Sequence, residues 1–197
     1  SIPWPHSLGH FYSAMTGFLG FTMLDGEYKM MGLAPYGSPD YLSFIRQNIL
    51  VSDAPGSYRL NGDLLDYHAA FKKQFHPLLL KTFGSPRLSD DAPFTERHQQ
   101  IAASAQSAFE EVVSDLASWA FLQGGKRTNV AIAGGCALNC SANGRLLREG
   151  PFTQMYVPPA PHDAGCAVGA ALLVYHERLG KPKQFEMTHA CYGPEYG

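Results

Sequence analysis

The chain has 197 residues, of which 45% are hydrophobic, and a formal net charge of −2, so it can form one substantial core and carries no basic excess that would favour nucleic acid. No apolar run is long enough to span a bilayer, and the first residues lack a signal peptide's basic start and hydrophobic centre, so we expect no membrane association. The cysteines form no C-x-x-C pair, which argues against a disulfide framework or a structural zinc site and favours the reducing cytoplasm; they occupy positions 136, 140, 166 and 191.

The first predicted elements are two helices. Apolar residues recur at helical spacing over residues 7–19, with Ser7 as the cap, which predicts a buried helix. His6 precedes that helix and is either a capping or core histidine or a residue of a functional site. A short helix is predicted over residues 27–34, and its Lys29 is either a solvated charge or a contact for a phosphate.

In the middle of the chain, the sequence predicts shorter elements. An amphipathic helix is expected over residues 41–50. A small hairpin is expected between residues 58–60 and 64–67, around the turn Asn61-Gly62-Asp63. Prolines interrupt the periodicity of residues 71–91, which indicates an excursion over the surface. His68 and His76 do not have the spacing of a metal pair.

The longest predicted helix covers residues 95–122. Apolar residues recur along it at intervals of three and four, and Gly124 and Gly125 follow its end. A stripe of this kind is typical of core packing. We therefore expect the helix to lie across a following strand at residues 130–133.

Two strand-turn-helix units complete the pattern, with strands predicted at residues 130–133 and 155–157. Gly134 and Gly135 follow the first strand, and glycines there let backbone N–H groups approach a bound anion such as phosphate. They also suit an ordinary tight turn. Asp163 lies at or near the start of the helix after the second strand, where it serves either as a helix cap or in a functional role.

Three ordered motifs carry a family resemblance. The first is PHSLGHFYSAMTGFLGF, starting at Pro5, and the second is GEYKMMGLAPYG, starting at Gly26. The third has two runs, GGCALNCSANGRLLREGPF from Gly134 and MYVPPAPHDAGCAVGAAL from Met155. Together they resemble the NodU/CmcH-type O-carbamoyltransferases, whose fold is similar to the Kae1-like, actin-like ATPase superfamily. Residues 38–93 match this family only loosely.

The resemblance implies an α/β fold, namely one lobe of an actin-like or Kae1-like (ASKHA, RNase H-like) fold with a long packing helix and strand-turn-helix units. Residues 1–197 would form a single domain, the second lobe of the Kae1-like domain. The first lobe and the YrdC-like domain of the family would be absent, so we expect the chain to be a fragment. The tail after Gly180 would begin a connection to an absent part.

The resemblance also implies O-carbamoyl transfer. Enzymes of this family use carbamoyl phosphate and ATP to make a carbamoyl-adenylate, and then transfer the carbamoyl group to a hydroxyl of a small-molecule or natural-product acceptor. By the same resemblance, Gly134, Gly135 and Asn139 would hold the nucleotide side of the donor. Lys29 would contact the cofactor, and His6 would lie toward the active cleft as a catalytic residue.

A divalent metal, with iron among the candidates, would bind Asp163 together with histidines. The His-rich motif that supplies those histidines in the family has no counterpart here, so the metal site would be incomplete. Two other classes stay open at this point. One is a lobe of an actin-like ATP-dependent kinase, and the other is a non-catalytic nucleotide-binding or assembly module.

Overall fold

A computed structural model of the chain describes residues 1–184, 189, 191, 193 and 194. Most of the tail after Gly180, predicted to start a connection, lies outside the described residues. The elements in chain order are α1 (Leu8–Phe18), α2 (Glu27–Leu33), a 3₁₀ turn (Ala34–Tyr36), α3 (Leu42–Asn48), β1 (Leu50–Ala54), β2 (Ser57–Leu60), α4 (Tyr67–Phe71), α5 (Pro77–Phe83), α6 (Glu96–Gln123), β3 (Asn129–Ala131), a second 3₁₀ turn (Gly135–Leu138), α7 (Cys140–Glu149), β4 (Gln154–Tyr156), α8 (Gly165–Leu173) and a π-helical turn (Val174–Arg178).

Helix α1 lies at the centre of the core, as its periodicity predicts. The Ser7 hydroxyl accepts a hydrogen bond from the His10 N–H at 3.3 Å, which caps the helix. The side chains of Phe11, Met15 and Phe18 are 0–1% exposed. Removing side chains of this size from water supplies about 1.5–3 kcal/mol each, so α1 is a principal source of stability.

The predicted long helix is confirmed as α6. It begins with a capping box, in which Thr95 and the ring of His98 each accept a hydrogen bond from the other's backbone N–H. It packs on α1, α2, α3, α7 and the Ala34–Tyr36 turn. The expectation that it lies across the strand after it is wrong, because its main packing partners are these elements and β2 rather than β3.

The predicted hairpin is displaced along the chain. Its strands are β1 and β2, with Leu50 opposite Leu60, and the turn contains Gly56 at a φ of +71°. The predicted helix over residues 41–50 is shorter as well, because Leu50 belongs to β1. Residues 64–67 form no second strand. Asp66 instead caps α4 by accepting from the His68 N–H at 2.8 Å.

The segment predicted as a surface excursion, residues 71–91, is mostly exposed but contains a short helix that is buried on one side. His76 caps α5 by accepting from the Leu78 N–H at 3.1 Å, and Leu79 and Phe83 are fully buried. Proline at the first position of this helix is compatible with it, since the N–H that proline lacks would have no helical partner there. The segment therefore lies at the surface as predicted, but the prediction did not include α5.

The β3-α7-β4 unit is confirmed as a parallel strand-helix-strand unit. Val130 lies opposite Met155, and the two strands are three residues long. Because the strands are parallel, the loops that follow them leave from the same edge of the sheet. The chain thus has mixed α/β architecture, and none of the helices in the described part of the chain is long and apolar enough to cross a membrane.

Candidate functional site

The loops after β3 and β4 meet at the carboxyl edge of the sheet. Gly134 has a φ of +98°, and its N–H donates to the carbonyl oxygen of Pro161 at 2.7 Å. That φ lies in the left-handed region, which glycine adopts readily. Gly135 starts a 3₁₀ turn, and a Cβ there would meet no atom within 4 Å. The predicted glycine corner is therefore a constrained turn with open space in front of its second residue.

Asp163 lies in the loop beside this corner, just before α8. Its carbonyl oxygen accepts from the Cys166 N–H at 3.0 Å, but its exposed side chain makes no capping hydrogen bond, and Ala164 is the residue at the cap. The cap alternative is thus wrong. A Cβ at Gly165 would lie 2.1 Å from the carbonyl oxygen of Ala160, so glycine is needed for the loop to fold this closely. The carboxylate of Asp163 faces solvent beside the glycine corner.

The three motifs converge on α1. A Cβ on Gly9 would lie 3.6 Å from the sulfur of Cys136, which places the first motif against the glycine corner of the third. The sulfur of Cys140 lies 3.8 Å from the sulfur of Met31 in the second motif. Burial raises the pKa of the Cys136 thiol, so this side chain is a neutral packing group between the motifs.

A buried network of polar side chains joins the first motif to the third. The side-chain amides of Gln106 and Asn139 form a reciprocal pair, with both N–H···O distances 3.0 Å. The Tyr12 hydroxyl donates to Gln106 at 2.7 Å, and Gln106 donates to Glu110 at 2.7 Å. Burial raises the pKa of Tyr12 well above its usual value, so the hydroxyl keeps the proton that it donates.

Asn139 is therefore buried, whereas a residue that contacts a nucleotide directly is expected to be exposed. It is 7% exposed, and its side-chain oxygen also accepts from the Ala142 N–H at 2.9 Å, which caps α7. Sequence reasoning missed Gln106 and Glu110. The indication was available, because Gln106 interrupts the apolar stripe of α6, and a polar residue in a buried stripe requires a partner.

A second missed contact joins the first two motifs. The side chain of Glu27 accepts from the Ser13 hydroxyl at 2.5 Å and from the Leu24 N–H at 2.8 Å. Because Ser13 is on α1 and Glu27 is on α2, this carboxylate fixes the angle between the two helices. The acidic residue at the start of α2 also complements the positive end of the helix dipole.

Lys29 and His6 have partners in other parts of the chain. The ammonium group of Lys29 forms an ion pair with Asp90, and this hydrogen bond raises the pKa of Lys29. The imidazole of His6 accepts from the Leu60 N–H at 3.1 Å, so it joins the start of α1 to β2. Neither contact tests the roles predicted for these residues, which stay predictions.

The described residues supply no complete metal site. They contain no group of three or more His, Cys, Asp or Glu side chains placed to hold a metal ion. Structural and catalytic metals normally need three or more protein ligands. Asp163 alone therefore does not fit a resident metal in this part of the chain, and any site that includes it requires ligands from elsewhere.

The first and third motifs thus meet beside the carboxyl edge of a parallel strand pair in a mixed α/β chain. A family model described as "Carbamoyltransferase N-terminus" matches residues 1–172, so the chain belongs to the carbamoyltransferase family. Over its full length it is 45% identical to an uncharacterized protein of Synechocystis sp., 41% to nodulation protein NolO of Bradyrhizobium diazoefficiens and 39% to nodulation protein NolNO of Sinorhizobium fredii. The chain spans about a third of these curated relatives, with shares of 32%, 33% and 27% of their lengths.

Proposed function

We propose that the protein containing this chain transfers a carbamoyl group to a hydroxyl of a small-molecule or natural-product acceptor. The donor would be a carbamoyl-adenylate, made from carbamoyl phosphate and ATP in another part of the longer protein. The observation that carries this proposal is the family match over residues 1–172, which includes all three motifs. Their meeting around α1 supports it, since residues that are far apart in sequence form one surface.

The chemistry of the transfer step defines what the site has to do. The acceptor oxygen attacks the carbamoyl carbon, the bond from that carbon to the phosphate oxygen breaks, AMP leaves, and the hydroxyl proton passes to a base. A site that aligns both reactants and excludes water supplies much of the acceleration. Donors aimed at the developing negative charge supply the rest.

Gly134 and Gly135 are the residues that we propose to lie against the phosphate of the donor. The open space at Gly135 is compatible with close approach of an anion to the backbone. The hydrogen bond from Gly134 to Pro161 fixes the turn before any ligand binds, so little ordering is needed on binding. Asn139 would act through the Gln106 network by holding the start of α7 in place.

The proposal is tested with the full polypeptide that contains this chain. It is incubated with ATP and carbamoyl phosphate, with and without a panel of hydroxyl-bearing acceptors. Pyrophosphate release that depends on carbamoyl phosphate, followed by acceptor-dependent release of AMP, is the expected result. Formation of ADP without any requirement for carbamoyl phosphate would instead identify an actin-like kinase. Absence of turnover together with tight nucleotide binding would identify an assembly module.

A further inference from the structure

Helix α8 is apolar on every side and has no buried residue. Its sequence, GCAVGAALL, contains no charged or strongly polar side chain. A surface helix usually has one apolar stripe, whereas a helix that is apolar all round is buried in a larger protein or in a membrane. The exposed apolar residues continue into the following π-helical turn; they include Val168, Leu172, Leu173, Val174, Tyr175 and Leu179.

The neighbouring β3–β4 sheet is small. It has two strands of three residues, and no third strand pairs with them within the described part of the chain. Parallel sheets are found almost only where both faces are covered, and two short strands do not make a stable sheet alone. The exposed helix follows this small sheet directly, through the loop at residues 157–164.

We infer that α8 and the β3–β4 sheet form an intramolecular interface in the longer protein. Strands from residues outside Ser1–Gly197 would extend the β3–β4 sheet and bury α8. The length of the curated relatives, about three times that of this chain, provides the polypeptide for such packing; the chain covers 32% and 33% of two of them. A membrane is a poor alternative, because a helix of nine residues is far shorter than the roughly 20 residues that a bilayer requires.

Hydrogen exchange of the full polypeptide, measured without lipid or detergent, tests the inference independently of any activity assay. We expect amides of α8 to be protected to about the same degree as those of the buried helix α1. Exchange as fast as in an exposed loop overturns the inference. Protection that increases with protein concentration also overturns it, since a second copy of the chain would then cover the helix.

Matched substitutions give a second readout. Leu172 in α8 and Leu80 in α5 are both helical and both 38% exposed in this structure. If α8 is buried in the longer protein, Leu172→Asp should accelerate exchange of its amides by about ten-fold or more, whereas Leu80→Asp should leave exchange of α8 unchanged. Equal, small effects of the two substitutions would contradict the inference. Should Leu172→Asp fail to accumulate, the exchange of the unmodified protein still decides.

Discussion

At the scale of single residues, one glutamine connects the first and third motifs. Gln106 accepts from Tyr12 in the first motif, exchanges hydrogen bonds with Asn139 in the third, and donates to Glu110. All of these groups belong to a network in which no described side chain is buried without a partner. Since Asn139 also caps α7, the network determines where the glycine corner lies relative to α1.

Replacing Gln106 with leucine should therefore be costly although leucine has a similar size. The Tyr12 hydroxyl and the Asn139 amide would lose a partner inside the core, and each buried group left unpaired costs about 1–3 kcal/mol. We expect the free energy of unfolding from urea titration to fall by about 2 kcal/mol or more. The control is Gln123→Leu on the exposed end of the same helix, which should change stability by less than about 0.5 kcal/mol.

Asp163 allows stability and function to be separated. Its side chain makes no capping hydrogen bond, so Asp163→Asn should leave the melting temperature in excess chelator unchanged. If the carboxylate is a metal ligand in the longer protein, the same substitution should reduce metal content by about ten-fold or more, with carbamoyl transfer falling in parallel. Elemental analysis and an activity assay on one preparation are sufficient. Full metal content with normal turnover would remove Asp163 from the site.

At the scale of elements, the last glycine of the second motif, Gly37, is required because it packs against α6. Gly37 ends the Ala34–Tyr36 turn, and a Cβ there would lie 2.2 Å from the backbone carbon and 2.3 Å from the backbone oxygen of Gln99 on α6. Gln99 lies in the first turn of α6, and helical backbone atoms cannot move aside as a flexible side chain can. The turn and α6 therefore approach as closely as two backbones allow, and any side chain at this position separates them.

This contact predicts a large effect for a small substitution. Gly37→Ala should lower the free energy of unfolding by on the order of 2 kcal/mol, since overpacking of this kind typically costs 1–3 kcal/mol. Gly32→Ala in α2 is the matched control. A Cβ at Gly32 meets no atom within 4 Å, and alanine in a helix interior is favoured over glycine by roughly 0.5–1 kcal/mol. Urea unfolding of the two variants should thus move in opposite directions.

The start of α6 should make the fold sensitive to acid. Burial, followed by the nearby charges of Arg97 and Arg87, holds the pKa of His98 below its ordinary value of 6.5. The unfolded chain therefore takes up this proton at a higher pH than the folded chain does. The contribution of His98 to stability is complete above pH 6.5 and is lost as the pH falls through the lower pKa of the folded state.

Unfolding titrations between pH 5 and 8 measure this effect. We expect stability to decline below about pH 6.5 in the unmodified protein. The variant His98→Gln retains a side-chain oxygen that can accept from the Thr95 N–H but does not titrate, so its decline should be shallower. Part of the slope should remain, because burial and then His68 also lower the pKa of His10. An unchanged slope would show that His98 is not involved.

The elements that sequence predicted correctly are those with long or repeated patterns. Helices α1 and α6 have several turns of apolar spacing, and the two strand-turn-helix units repeat one arrangement. The β1–β2 hairpin was misplaced because the sequence has two turn signals, Pro55-Gly56 and Asn61-Gly62, and the chain turns at the first, where the Gly56 N–H donates to Asp115 on α6 at 2.7 Å. Nothing within residues 41–67 indicates that contact. Helix α5 was missed because prolines flanking a short apolar segment resemble the composition of a loop.

The candidate site could be predicted only in part for a similar reason. The glycine corner and Asp163 follow strands, and parallel strands bring such loops together regardless of the details. The position of Asn139 depends instead on Gln106, which is 33 residues away in sequence. No local pattern distinguishes an asparagine that binds a nucleotide from one that pairs with a buried amide.

At the scale of the whole molecule, the proposed site lies on an open surface of this chain. The glycine corner and Asp163 are exposed, and the described residues contain no cluster of metal ligands. Group transfer from an activated donor requires that both reactants are held and that water is kept out. A surface that is open on one side can bind a phosphate weakly but cannot enclose an adenylate and an alcohol together.

We therefore expect the 197-residue chain on its own to have no carbamoyltransferase activity. The measurement is release of AMP from carbamoyl-adenylate in the presence of acceptor, compared between this chain and the full polypeptide at equal concentration. Circular dichroism of the isolated chain is the control that separates an inactive fold from an unfolded one. Turnover by the isolated chain at a rate comparable with the full polypeptide would mean that the exposed corner is a complete active site, and that the rest of the relatives' length serves another purpose.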